Sequence, residues 1–256
     1  MFAGQRLDII RQVLRERKQI DIASLTTLLQ VSDVTVRKDL DLLEKEGFLQ
    51  KVHGGAILQD ESPLDAERLP LPDEGLKEKL ATLAITLIED GDSLFLGSGS
   101  TCLVFAKQLS CRKALTVITN NASALPILCP HVANLHFIGG EVLCARNGLM
   151  HTYGKKALQH LNGVFVSKAF LGAEGLDLRA GLTTNHSPTV DLVQKVIDVS
   201  SEVIVLASHE KLGKVALHQI IPLNALSTVV SGGDAGDTYK QYFFEQNIKL
   251  LTAFDL

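Results

Sequence analysis

The stretch Val31-Ser32-Asp33-Val34-Thr35-Val36-Arg37-Lys38-Asp39-Leu40-Asp41-Leu42-Leu43-Glu44-Lys45-Glu46-Gly47 decides the fold of the N-terminal part of the chain. Val36, Leu40 and Leu43 recur at helical spacing, which predicts a helix over 33–46 ending at Gly47. Ser32 supplies a side-chain oxygen suited to cap it. Upstream, Leu7, Ile10, Val13 and Leu14 form one apolar helical stripe, with Arg6, Arg11, Arg15 and Arg17 mostly on the other faces. Ile22, Leu25, Leu28 and Leu29 form a second stripe. Downstream, residues 48–52 and 56–58 are strand-like runs around the turn signal His53-Gly54-Gly55. Two helices on a tight turn, then a Gly-Gly hairpin, describe a winged helix-turn-helix.

In that arrangement the second helix enters the major groove with its N-terminal residues toward base edges and phosphates. Ser32, Thr35, Arg37 and Lys38 are the candidate DNA contacts there. Thr35 can bond a base edge or a phosphate, and Arg37 can fork onto guanine or phosphate oxygens. Gln50, Lys51 and His53 fall on the wing, placed for backbone or minor-groove contact. A solvated polar face explains any one of these residues; their joint order points to duplex DNA. Charge adds little, because the net charge is −4. Residues 1–58 carry nine Lys/Arg against eight Asp/Glu, and the remainder 16 against 21. Nucleic-acid binding must therefore rest on a local basic face.

At 256 residues with 46 % apolar and 21 % charged residues, the composition is that of a folded globular chain. The best apolar run, 80–88, is interrupted by Thr82 and Thr86, so no membrane-spanning helix is expected. The first residues lack a secretory pattern, which gives a cytoplasmic expectation. Cys102, Cys111, Cys129 and Cys144 form no metal-ligand or disulfide spacing and are expected to be buried spectators. Residues 59–75 hold three of the seven prolines and six acidic residues, the composition of a linker. The expected domains are 1–58 for DNA binding, 59–75 as linker, and 76–256 as an α/β sensor.

In that larger segment, apolar runs at 93–96, 115–119, 135–138, 168–171, 203–207 and 227–230 alternate with helical patterns, notably 191–199 and 238–246. Short apolar strands separated by helices predict a mainly parallel sheet covered on both faces, with ligand chemistry at the strands' carboxyl ends. Gly97-Ser98-Gly99-Ser100-Thr101 follows the first strand and precedes a helical pattern, 103–109. Its amides and hydroxyls make it a candidate phosphate cradle. Asn120, Asn121, Gly139, Gly140, Glu174 and Lys211 end other strands; Glu174 could accept from sugar hydroxyls and Lys211 could neutralise phosphate. No dinucleotide fingerprint is complete, since Gly97-Ser98-Gly99-Ser100 lacks the third glycine, and no cofactor or metal is expected.

The stretch 31–47, together with Lys51-Val52-His53-Gly54-Gly55-Ala56, resembles the signature of the DeoR/GlpR family of bacterial transcription regulators. The resemblance implies a repressor of carbohydrate metabolism whose larger domain senses a phosphorylated sugar and has the fold of ribose-5-phosphate isomerase and coenzyme A transferases. It implies operator DNA as partner and a homo-oligomer, dimer or tetramer. Three departures stand out: Gly97 and Ser208 where members often carry aspartate, and His186-Ser187-Pro188-Thr189 where a glutamate is usual. They leave open an atypical effector or a domain that no longer senses sugar. The alternative is a sugar-phosphate isomerase or transferase with an accessory DNA-binding domain, for which Glu174 is the one nameable base.

Overall fold

A computed structural model describes residues 3–45, 48–52, 54–58, 73–145 and 148–252. It divides into two compact units, Met1–Ala66 and Glu67–Leu256. His53, the Glu46-Gly47 helix end and positions 59–72 of the expected linker lie outside the described residues.

In the first unit, α1 (Ala3–Arg17) leads through β1 (Gln19–Asp21) into α2 (Ile22–Leu29) and α3 (Asp33–Lys45), then β2 (Leu49–Val52) and β3 (Gly55–Leu58). Asp21 caps α2, accepting from the Ser24 amide at 2.7 Å. Gln30 ends that helix in the left-handed region at φ 53°. The core joins Ile10 and Leu14 of α1, Leu25 and Leu29 of α2, and Val36, Leu40 and Leu43 of α3. Full burial of each such leucine contributes about 2 kcal/mol. Leu28 departs from the expected stripe and stands 51 % exposed. The hairpin gains a third strand: β1 pairs antiparallel with β3, giving the order β1-β3-β2. Ile20 fills this strand's one buried position.

The second unit is built on a seven-stranded parallel sheet, ordered β15-β14-β12-β9-β4-β5-β6. The strands are β4 (Ser93–Leu96), β5 (Thr116–Thr119), β6 (Asn134–Phe137), β9 (Val166–Gly172), β12 (Ser200–Ala207), β14 (Thr228–Ser231) and β15 (Lys249–Thr252). Alternation along each strand feeds two cores. Leu94, Leu96, Phe170, Ile204, Leu206 and Val230 pack with α4 (Glu74–Ile85) and α5 (Ser100–Gln108) on one face. Phe95, Ala169, Leu171, Val203, Val205 and Val229 pack with α8 (Ser187–Asp198) and α9 (Asp237–Glu245) on the other. That double coverage is the expected α/β architecture. From its centre the chain winds outward both ways, β4-β5-β6 and β9-β12-β14-β15, so the order reverses between β4 and β9.

Two smaller elements were not foreseen. One is the hairpin of β7 (Glu141–Cys144) and β8 (Met150–Tyr153). The other is the antiparallel sheet of β10 (Gly175–Asp177), β11 (Gly181–Thr184) and β13 (His218–Ile221). The cysteine expectation holds for Cys102 alone, since Cys111, Cys129 and Cys144 are exposed. Cys111 and Cys129 close short turns and Cys144 lies on an outward position of β7, places that spacing in sequence does not reveal. Burial pushes the Cys102 thiol up to about 12, so it stays protonated and inert. Among the described residues, no helix is long and apolar enough to cross a membrane.

Candidate functional site

Two surfaces carry chemistry. The first is the outer side of α3. Ser32 begins it as expected: the Thr35 amide donates to Ser32 Oγ at 3.3 Å, and the two hydroxyls lie 2.9 Å apart. Arg37 and Lys38 are exposed and Thr35 is half-buried, so the leading end of the helix is open to solvent. Arg37 forks onto Asp33, Nε to Oδ1 at 2.8 Å and Nη2 to Oδ2 at 3.3 Å, which orients the guanidinium along the helix. Gln50 is exposed on β2. Lys51 is committed elsewhere: its ammonium contacts Asp41 and lies 3.6 Å from Glu44, and its amide donates to Glu44 at 2.8 Å. Pairing with Lys51 holds the Asp41 carboxyl below its usual range, so the clasp remains charged.

Asp39 received no role in the sequence reading. It is 7 % exposed and takes a two-point contact from Arg6 of α1, Nε to Oδ2 at 2.8 Å and Nη2 to Oδ1 at 3.1 Å. The pair fixes the recognition helix against α1, because a planar guanidinium matches a carboxylate in one orientation.

The second surface is a cavity of about 420 Å³ at the reversal of strand order. Doubly wound sheets open a crevice there, outside the carboxyl ends of the strands. Gly97 to Thr101 line it after β4, and Glu174 after β9. Gly99 adopts φ 98°, a conformation reserved for glycine, and hands the chain into α5 with first-turn amides toward the cavity end. Gly97 is crowded: a Cβ would meet the Phe170 carbonyl at 3.1 Å, so an aspartate there would force the neighbours apart. Two lysines also line the cavity, Lys211 after β12 and Lys77 from α4. Burial, reinforced by Lys211, holds the Lys77 ammonium below its usual pKa against the pull of Asp73. Lys211 also sits 3.2 Å from Glu210.

Hydroxyls, imidazoles and a carboxylate share the cavity wall. Thr183, Thr184, His151, His186 and Glu174 all line the cavity. Glu174 Oε2 accepts from the Asn185 amide at 2.7 Å and its Nδ2 at 2.9 Å, while Oε1 lies 3.9 Å from His186 Nε2. These bonds orient the carboxylate, which suits it to accept hydrogen bonds from the hydroxyls of a ligand. Burial, with His186 nearby, lowers the His151 pKa, and Glu174 offsets this in part. Cations and hydroxyl-reading groups lining one cavity suit a small polyol bearing an anion.

Of the sequence candidates, Gly97, Ser98, Gly99, Ser100, Thr101, Asn120, Glu174 and Lys211 meet at this cavity. Asn121, Gly139 and Gly140 are not on its wall. Asn121 is buried behind the loop, its Nδ2 3.4 Å from the carbonyls of Gly97 and Gly99, and so shapes the cradle from outside. Gly140 serves packing: a Cβ would meet the Tyr153 carbonyl at 2.3 Å. The neighbouring Gly139 amide donates to His160 Nδ1 at 3.2 Å. Lys77, His151 and His186 were missed. Lys77 comes from a helix before the first strand, and His151 from the unforeseen hairpin, so the strand-end rule reaches neither. His186 did have a signal, standing in the segment where a carboxylate was found wanting.

Comparison with known proteins bears on both surfaces. The family description "DeoR-like helix-turn-helix domain" matches residues 6–62. "DeoR C terminal sensor domain" matches residues 73–233. The HTH-type transcriptional repressor GlcR of Bacillus subtilis (strain 168) is 31 % identical over 235 residues, covering 90 % of this chain and 89 % of that protein. The putative sgc region transcriptional regulator of Escherichia coli (strain K12) is 30 % identical over 248 residues, covering 93 % and 94 %. A solved ribose 5-phosphate isomerase A from Methanocaldococcus jannaschii overlaps 55 % of each chain at 22 % identity and TM-score 0.41, too loose an overlap to carry an argument. With an open helix-turn-helix in the first unit, a sensor-domain match across the second, and full-length relatives that are named regulators rather than enzymes, this chain belongs to the DeoR family of DNA-binding transcriptional regulators.

Proposed function

We propose that this protein represses a carbohydrate-metabolism operon and releases or tightens its grip on operator DNA when a phosphorylated sugar enters the second unit. On the DNA side, α3 lies in the major groove with Thr35, Arg37 and Lys38 leading, Ser32 fixing the helix start, and Gln50, Lys51 and His53 of the wing along the backbone. On the effector side, the Gly97–Thr101 loop and the start of α5 hold the phosphate with Lys77 and Lys211, and Glu174 and Asn120 read hydroxyls. The protein acts in the cytoplasm as a dimer or tetramer, because paired half-sites require paired helices.

The observation that carries this reading is that a glycine-rich strand-to-helix loop and two lysines line one cavity of about 420 Å³. Two like charges held together favour an anion between them. Thermal denaturation against a panel of pentose and hexose phosphates, with the unphosphorylated sugars as controls, tests it. A bound effector raises the melting temperature as RT ln(1 + [L]/Kd) requires. Equal response to sugar and sugar phosphate would overturn the assignment of the anion site.

A further inference from the structure

Val34 stands 63 % exposed in the first turn of α3. It shares a helix face with Arg37 and Lys38, three and four residues on. The polar groups around it have internal partners: Thr35 Oγ1 lies 2.9 Å from Ser32 Oγ, and Arg37 forks onto Asp33. What protrudes without polar company is an isopropyl group. Leu28, Leu42, Val52 and Ile57 are also exposed, but on α2, the far end of α3 and the wing strands. In a helix-turn-helix it is the N-terminal side chains of the recognition helix that reach base edges.

We propose that Val34 is a specificity determinant that packs against the 5-methyl group of one thymine in each half-site. The thymine methyl is the apolar feature of the major-groove edge, and an aliphatic side chain is its partner. Valine suits the task because β-branching leaves it nearly one rotamer in a helix, so little freedom is lost on contact. The inference rests on α3 being the groove-entering helix, and it adds a base identity to that reading.

The test starts from a random-sequence duplex pool enriched on the full chain. The enriched duplex is then synthesised with deoxyuridine in place of each thymine in turn, which removes only the methyl. Binding of the wild type and of Val34→Ala is followed by fluorescence anisotropy. One position per half-site is expected to weaken the wild type about three- to fivefold, the worth of burying one methyl group. Val34→Ala should bind the thymine and deoxyuridine duplexes equally at that position. A variant as methyl-sensitive as the wild type, or a wild type indifferent to every thymine methyl, would overturn the role of Val34 while leaving the groove reading intact. Failure to enrich any motif would overturn both. Because Val34 packs into no core, its variant should melt with the wild type, which separates loss of contact from loss of fold.

Discussion

Arg6 and Asp39, 33 residues apart, form a two-point ion pair whose side chains are 14 % and 9 % exposed. The contact joins the first helix to the middle of the recognition helix. Removing one partner of so enclosed a pair leaves the other charge without compensation, whereas replacing both by apolar groups is close to neutral.

Asp39→Ala should therefore lower the urea midpoint of the first unit. The double replacement Arg6→Met with Asp39→Leu should recover most of that loss. Urea denaturation of the three variants measures it. Equal stability of Asp39→Ala and wild type would remove the pair from the account of how α3 is seated.

Lys51 is held by Asp41 and Glu44 on α3, so contact with a phosphate must compete with that clasp. Asp41→Asn weakens the clasp and frees the ammonium for the DNA backbone. The slope of log affinity against log salt should steepen by about 0.9, the signature of one further phosphate contact. An unchanged slope would mean that Lys51 faces no phosphate.

Lys77 and Lys211 should matter for anion binding and little for folding, since both ends of the pair are drawn to the cavity. Lys77→Met should abolish stabilisation by whichever sugar phosphate protects the wild type, and Lys211→Met should reduce it. Its melting temperature without ligand should not fall, because burial already disfavours the Lys77 charge. Retained protection in Lys77→Met would exclude it from the phosphate site.

The lowered pKa of His151 makes a directional statement about acid. As pH falls through about 6.5, the unfolded chain takes up this proton before the folded one does. Stability conferred by the neutral form is thus complete above that pH and declines below it until the folded group titrates. Between pH 7.5 and 5.5 the wild type should lose more stability than His151→Gln. Parallel pH profiles for the two would contradict the burial of this imidazole.

Much of this architecture was legible because single periods dominate. Val36, Leu40 and Leu43 mark one buried stripe, and 94–96 or 203–207 are apolar throughout because both faces of a parallel sheet are covered. The strand-end rule then led to Gly97–Thr101, Glu174 and Lys211. It did not reach the cavity wall at Gly139 and Gly140, which look like a ligand loop, Gly140 being needed where β8 and its following helix pass close. Arg6 stands off the apolar stripe of its helix, and nothing in a periodicity reports its partner on a helix 33 residues away. Lys77 and His151 were invisible for the same reason: a cavity wall is assembled by tertiary packing. β1, three residues with one buried side chain, is too short to leave a pattern.

The proposed control of α3's grip on DNA by occupancy of the cavity is tested most directly by one titration. The full chain is titrated onto its enriched duplex, with and without a saturating amount of the sugar phosphate that most raises its melting temperature. Operator affinity should change by about 5- to 150-fold, the usual span of allosteric coupling. Affinity unmoved at saturation would contradict the account, because a ligand that does not distinguish two states of the protein cannot shift one toward the other.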